Sequence, residues 1–377
     1  MRAHSPRSSS NAIWAAVTLV IVGGWVFWGA NYRETALDFT MFYVAAHAPI
    51  GSIHDQAVFQ ETARRVLAGT GVKYASPYVR PAVFALALRW MRGLSYWEAY
   101  RIWACLQFVF YGATLWALSR RFRVRVLGFY PWALFFPAFF GIITGQDSLA
   151  VGLVLCLALV MLADGRDEAG GALLSLTLYK FNLFLLLPVY LALKKRYRAL
   201  AVYGVCGAVL AGVSALLEPP SLYLALLPDI ERYTIGFFPK NMLGLRGLCT
   251  TLGWTAAYPV AALALSTYLL VMSRRMEFVR GFGMVVTACV LCAYHIGWYD
   301  AAVLALPFGL ALALGDPGLR LMTVCVMVIP FWNVMRTSET LLLLGFAMLY
   351  SGAPGRAAPT SANGSEASTR PAKSCKN

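Results

Sequence analysis

The sequence predicts an all-α, polytopic membrane protein with about a dozen helical spans. Three observations carry this. Hydrophobic residues make up 59% of the 377, and charged residues only 13%, about half the share of a soluble domain. A soluble core cannot absorb that much apolar sequence, whereas a bilayer solvates it. The net charge of +15 falls in short basic runs between apolar segments, which is the pattern of topology determinants. Such spacing argues against a nucleic-acid partner, which would need a contiguous basic face.

The first span is expected at Asn11–Ala30, with Trp14 near one end and Trp25 and Trp28 near the other. Arg2 and Arg7 place the N-terminus inside, and the segment is span-length with no small-residue cleavage pattern after it. A long polar loop, residues 31–97, follows on the extracytoplasmic side. Within it, Asp55–Leu67 sets Val58, Phe59, Thr62 and Val66 against Gln60, Glu61, Arg64 and Arg65, an amphipathic surface helix. Pro81–Met91 is apolar but too short to span and reads as a second surface or re-entrant helix.

Span two, Tyr96–Leu118, ends in the basic run Ser119–Arg125. Spans three and four are expected at Val126–Ile142 and Ser148–Ala163, with Thr144–Asp147 outside between them. Ala169–Tyr179 and Leu183–Leu193 are each too short to span. Charge at both flanks, Asp164–Glu168 and Lys194–Arg198, favours a hairpin with Lys180 at its outer tip. Span seven, Ala199–Leu217, leads to a second outer loop, residues 218–250, whose Pro, Gly and aromatic content suits a folded loop. Span eight ends at Ser273–Arg275, span nine is Phe282–Tyr294, and span ten starts near Asp300. Spans eleven and twelve flank Arg336–Glu339. One transmembrane domain, residues 1–350, is thus followed by a disordered cytoplasmic tail, residues 351–377. An even number of spans puts every basic run and the tail on the inner side.

Six of the eight cysteines lie inside apolar runs, and Cys289-x-x-Cys292 has no second pair to complete a zinc site. His47, His54 and Asp55 do not form a recognised ligand spacing either, so no metal is expected. The polar residues that could do chemistry gather on the outer side: Asp38, Arg80, Gln146, Asp147, Lys180, Lys240, Asn241, Arg246, His295 and Asp300. Ionisable groups at membrane depth face a cavity or a partner, so an outward-facing charged cavity is expected. Asp38, just past the first span among apolar neighbours, is the candidate general base; as a plain structural residue it would cap a helix or pair with Arg33. Structural readings exist for the others too. Lys180 would snorkel to the interface, Gln146 and Asp147 would cap span four, Asp300 would cap span ten, and His295 would bridge helices.

Asp38-Phe-x-x-Phe-Tyr43-x-Ala-Ala46, opening the first outer loop, resembles glycosyltransferase family 87, the polyprenyl-phosphate-mannose-dependent mannosyltransferases of the GT-C superfamily. Tyr74-Ala-Ser-Pro77 with Pro81, Gly145-Gln146 with Ser148, Ala169-Gly-Gly with Lys180, Asn241-x-x-Gly244-x-x-Gly247, and His295 with Tyr299-Asp300 are similar to its later motifs, in order. Asn182 stands where the family often has proline, and Met242-Leu243 replaces its usual Gln-Ser.

The resemblance implies a GT-C fold and an inverting sugar transfer outside the cytoplasm, at a bacterial inner membrane. The donor would be a polyprenyl-phosphate sugar, mannose first, and the acceptor a lipid or glycan. It implies Asp38 as base, Lys180, Arg246 and Arg80 as holders of the donor phosphate, and His295, Asp300, Gln146, Asn241 and Tyr43 as substrate-binding residues. Membrane lipids and the lipid-linked sugar are the expected partners, with no cofactor. The competing function is a transporter or flippase of a lipid-linked sugar. Transporters place polar groups near the midplane of two similar halves, and this sequence has no paired halves.

Overall fold

The computed structural model describes residues 38–72, 76–122, 132, 135–237, 242–314, 316–328 and 336–352. The first span, Asn241, Lys240 and nearly all of the tail lie outside them. Among the described residues the chain is helical throughout and has no strand. Three helices are long and apolar enough to cross a membrane: Tyr96–Phe122, Tyr197–Leu217 and Thr255–Arg275, the last including a short 3₁₀ turn. The chain is therefore an all-helical membrane protein.

In order, α1 is Phe39–His47, α2 Gln56–Val66 and α3 Ala82–Leu86, followed by a 3₁₀ turn at Arg89–Gly93. Then come α4 (Tyr96–Phe122), α5 (Phe136–Thr144), α6 (Ser148–Ala163) and α7 (Asp167–Ser175), which runs into a 3₁₀ segment, Leu176–Leu183. Helices α8 (Leu186–Leu193), α9 (Tyr197–Leu217), α10 (Pro220–Phe237) and α11 (Leu245–Thr251) follow. The chain closes with α12 (Tyr258–Arg275), α13 (Phe278–Cys292), a 3₁₀ turn at Trp298–Leu304, α14 (Ala305–Leu314), α15 (Pro317–Val328) and α16 (Arg336–Gly352).

Charged contacts mark the two ends of this bundle. At one end Arg121 pairs with Asp164 at 2.7 Å, Arg196 with Asp167 at 2.9 Å, and Lys194 donates to the carbonyl of Arg274 at 3.0 Å. The Arg196–Asp167 pair joins the first residue of α7 to the chain after α8. Both flanks of the short helices therefore sit together, with Lys180 at the far tip, the hairpin that the charge pattern predicts. Gly171 makes it possible to seat the hairpin. A Cβ there would collide with the backbone of Ala199 on α9, so only glycine allows α7 and α9 to touch.

The core lies along α4, α6, α13 and α14, where Leu118, Leu155, Leu159, Phe282, Val286 and Phe308 are almost wholly buried. Helix α9 is different: of its residues only Ala199 is buried, and Val205, Val209 and Leu216 face outward. An apolar helix with that little protein contact is covered by lipid.

Two expectations need correction. Residues 218–250, expected as a loop, are largely helical, α10 and α11, because Pro220 sits in a first turn, where its missing N–H costs nothing. Pro228 then lies inside α10 and is absorbed. Pro81–Met91 is two short pieces rather than one helix. Arg336–Glu339 stands between the apolar helices Pro317–Met327 and Thr340–Gly352, as expected, and is itself the first turn of α16.

Candidate active site

The site is built from α1 onward, and this helix is clamped at both ends. Phe39 is fully buried against Tyr96, Tyr100 and Trp103 of α4, with ring centroids 5.4–6.4 Å apart. At the other end Arg92 donates to the carbonyls of Ala46 and Ala48, at 2.7 and 3.3 Å, satisfying groups a helix terminus leaves open. Asp38 occupies the position before the helix but makes no side-chain cap. Its carboxylate is hydrogen-bonded by the Gln146 side chain.

Gln146 and Asp147 are aimed by the end of α5. Gly145 adopts φ +76° there, and Gln146 N–H returns to the Gly141 carbonyl at 2.8 Å, a Schellman closure. A side chain at Gly145 would meet Phe39 Cβ at 2.5 Å, so this turn and α1 are in direct register. The Tyr100 hydroxyl and the Trp103 indole donate to the Ile143 and Gly145 carbonyls, at 2.7 and 2.8 Å. Aromatics of α4 thus anchor both the Asp38 helix and the Gln146 turn.

Lys180 sits where the 3₁₀ segment breaks, at φ −119°, ψ 54°. It is 2% exposed and does not snorkel. Its Nζ lies 2.5 Å from Asp147 Oδ1 and 2.6 Å from Asp300 Oδ1, and donates to Ser148 Oγ at 2.7 Å. Arg80 Nε reaches Asp147 Oδ2 at 3.3 Å, and its guanidinium lies 5.1 Å over the Tyr179 ring. Asp300 serves two purposes. Oδ2 accepts from Gly297 N–H at 3.0 Å, capping its own turn, while Oδ1 takes Lys180 and, at 2.9 Å, Ser148. The cap expected of Asp300 is therefore present, but Asp147 caps nothing and spends its charge across the site.

These contacts set the proton affinities in the connections. Burial raises Asp147, but Lys180 and Arg80 outweigh it and bring the carboxyl down to about 2. Asp38 takes part in no ion pair among the described residues, and burial lifts it from 3.8 to about 6, with Gln146 opposing the rise. His295 is pushed below its ordinary value, first by burial and then by Arg80, Arg246 and Lys180, with Asp300 opposing. Of the carboxylates of Asp38, Asp147 and Asp300, Asp147 is thus held as an anion by its cations, while the part-buried Asp38 can exchange a proton near neutral pH.

Of the residues expected to act together, Asp38, Gln146, Lys180, Arg80 and Asp300 converge. Arg246 stands apart from the carboxylates; it donates to the Tyr294 carbonyl at 2.9 Å and stacks on that ring at 3.7 Å. Its charge influences His295, so it borders the same space. Tyr43 is committed elsewhere. Its hydroxyl donates to the Leu94 carbonyl at 2.8 Å and its ring packs on His47 and Tyr96, which fits a strut for α1. Asn241 falls outside the described residues. Sequence reasoning named Asp147 among the outer polar residues but gave it a cap as its role, named Ser148 only beside Gly145-Gln146, and gave Tyr179 no place in the site.

Beside the cluster is an apolar cavity of about 340 Å³ between α9, α10 and the Pro81–Phe84 turn, lined by Phe84, Leu178, Phe181, Leu210 and Ala211. Phe84 sits edge-on to Tyr179 at 4.6 Å, so one wall of this cavity is the back of the charged site. Among the described residues no group of three or more His, Cys, Asp or Glu is placed to hold a metal ion.

Comparison with curated proteins and with solved structures gave no match. The sequence model described as Glycosyltransferase family 87 matches residues 78–328, most of the chain. That stretch holds Arg80, Gln146, Asp147, Lys180, Arg246, His295 and Asp300, while Asp38 lies ahead of it. With a membrane-embedded helical bundle and a cluster of buried acids and bases inside the matched stretch, the chain belongs to glycosyltransferase family 87.

Proposed function

We propose that this glycosyltransferase moves a sugar, mannose first, from a polyprenyl-phosphate donor to a hydroxyl of a lipid or glycan acceptor, inverting the anomeric centre, on the extracytoplasmic side. The observation that carries the reading is Asp38. It is the one carboxylate of the three without an ion-pair partner among the described residues, and its proton affinity lies near 6. A base for a sugar hydroxyl must be ionised at neutral pH yet able to accept a proton, and that value meets both demands.

In the step, Asp38 takes the proton of the acceptor O–H as that oxygen bonds to the anomeric carbon. The bond from this carbon to the phosphate oxygen breaks, and its electron pair leaves with the polyprenyl phosphate. Asp147 and Asp300 are balanced by Lys180 and Arg80, which leaves no second free carboxylate in this cluster, among the described residues, to form a covalent sugar intermediate. This supports a reading of single displacement with inversion. Preorganised positive charge would stabilise the leaving phosphate in a low-dielectric site. Arg246, held by a carbonyl and a ring face, has the charge least committed to carboxylates, and Lys180 and Arg80, balanced by Asp147 and Asp300, would serve the phosphate as hydrogen-bond donors. Gln146 orients the base, while His295 and Asp300 face the sugar. The lipid-facing cavity beside Tyr179 supports a donor with a long apolar chain.

The test is transfer by the purified protein in lipid nanodiscs, supplied with radiolabelled polyprenyl-phosphate mannose and a membrane-lipid extract. Labelled product of inverted configuration is expected. Transfer from a nucleotide-activated mannose in place of the lipid donor would overturn the donor assignment, and retained configuration would overturn single displacement.

A further inference from the structure

We propose that His54 and Glu218 form a proton-sharing latch that positions Arg80 and the wall of the apolar cavity, so that both are positioning residues for the donor. The inference rests on the donor reading given above. His54 lies between α1 and α2, and Glu218 ends α9 just ahead of α10. They are 164 residues apart, yet exposed by only 3% and 4%. Glu218 directs both oxygens at His54: Oε1 accepts from the backbone N–H at 2.8 Å, and Oε2 lies against Nδ1.

The imidazole settles how many protons the pair holds. Nε2 meets the Arg80 carbonyl oxygen at 2.8 Å, and a carbonyl can only accept, so Nε2 carries a hydrogen. Nδ1 and Oε2 are then left in contact with one proton between them. Whether written as imidazolium and carboxylate or as imidazole and carboxylic acid, the pair is neutral overall and every polar atom of the ring is satisfied. Replacing either partner with an apolar residue leaves buried polar atoms of the other unpaired, whereas Glu218→Gln can still accept from the His54 backbone N–H and donate its amide to Nδ1 of a neutral imidazole.

What the latch holds is the main chain at residues 78–80, which has no helix or sheet of its own. The His54 ring fixes the Arg80 carbonyl, and the Tyr223 hydroxyl of α10 donates to the Val79 carbonyl at 3.4 Å. Tyr223 and Tyr78 close over the imidazole, with ring centroids at 4.9 and 5.8 Å. From this fixed backbone Arg80 reaches Asp147 and Tyr179. His54 and Glu218 also line the apolar cavity, next to Pro81 and Phe84. One neutral pair thus sets both the cation and the hydrophobic wall that the donor would meet. A pair serving the fold alone would affect every parameter through stability; a latch for the donor acts on donor affinity first.

The test compares wild type with His54→Leu, Glu218→Leu and the double variant, all in nanodiscs. Titration with decaprenyl monophosphate is expected to show binding weakened about tenfold in each single variant, with the double variant no worse than the weaker single, as coupled residues behave. In transfer assays the donor KM should rise while kcat and the acceptor KM stay within about threefold. Glu218→Gln keeps the acceptor for the His54 backbone N–H and can donate to Nδ1, so it should bind the donor within about threefold of wild type, and it serves if the apolar variants do not fold. Additive losses, a fall in kcat with donor binding unchanged, or a folded Glu218→Gln that loses donor binding as the apolar variants do, would overturn the latch. If wild type neither binds the prenyl phosphate nor transfers sugar, the donor reading fails. Hydrogen exchange at residues 76–82 then decides on the latch alone: faster exchange in Glu218→Leu supports it, and unchanged protection sinks it.

Discussion

Asp38→Asn separates catalysis from stability, because the same burial that suits the residue for proton transfer destabilises the fold. The carboxyl rises from 3.8 to about 6 on folding, roughly two units, or about 3 kcal/mol of differential cost between its charged and neutral forms. The sign follows from the direction. A carboxyl whose affinity for protons is higher in the folded state favours folding when protonated. That contribution is present below about 4 and is lost as pH rises through about 6. At pH 7 wild type therefore bears the cost of a buried anion, which asparagine removes while keeping the volume and an acceptor for Gln146.

Asp38→Asn should unfold at a higher temperature than wild type at pH 7, with the advantage vanishing near pH 4. Transfer should fall by about 10²–10⁴-fold, the usual contribution of a positioned base. For wild type, the rate should drop tenfold per pH unit below about 6, where the base is protonated. Thermal unfolding in detergent across pH, paired with sugar transfer in nanodiscs, measures both. An asparagine variant with full activity would remove Asp38 from the chemistry. One that lost activity and stability together would show that the carboxylate holds the fold and that its raised proton affinity has been misread.

Lys180→Met should leave Asp147 and Asp300 facing each other without their shared cation, at a cost of about 3–5 kcal/mol in chemical denaturation. Adding Asp300→Asn should recover part of that loss, and no recovery would argue against the pairing. Gly145→Ala forces a side chain into left-handed backbone and onto Phe39, so it should destabilise by about 1–3 kcal/mol and displace Gln146 and Asp38 together. Unchanged activity in a folded Gly145→Ala would mean that this turn does not set the site. Ala211→Trp should fill part of the apolar cavity and displace about two methylenes of a bound chain, raising the KM of a long-chain donor about tenfold while sparing a short-chain analogue. Equal effects on both donors would place the chain elsewhere.

Much of this was legible in the sequence, for identifiable reasons. Hydropathy located α6 as Ser148–Ala163, residue for residue, because an apolar run between Asp147 and Asp164 has two unmistakable ends. The hairpin followed from charge at both of its flanks. Asp38, Gln146, Lys180, Arg80 and Asp300 stood out as polar groups in apolar surroundings, and they meet. Asp147 was read as a cap because an aspartate ahead of Ser148 looks like one, and no local pattern tells whether a carboxylate bonds its own helix or crosses to Lys180. His54 and Glu218 could not be paired from sequence, since nothing local links residues 164 apart. The helix α10 was hidden by Pro219, Pro220 and Pro228, which signal a loop unless the first of them happens to precede a helix start.

The hairpin of α7 and α8 also bears on how the chain is made. Its two helices have 9 and 8 residues, rising about 12–14 Å each, under half of a hydrocarbon core of about 30 Å. Neither half can be handed to lipid as a span on its own. The bed that α7 needs is formed partly by α6, already synthesised, and partly by α9, which follows α8 in the chain. As the ribosome extends the chain, Lys180 would therefore have to wait beside Asp147 until α9 seats α7 and, later, Asp300 arrives. A nascent chain stopped after Arg198 should hold the hairpin loosely and expose residue 180 to a water-soluble lysine reagent. A chain extended past Leu304 should protect it, marking the order in which this site is assembled.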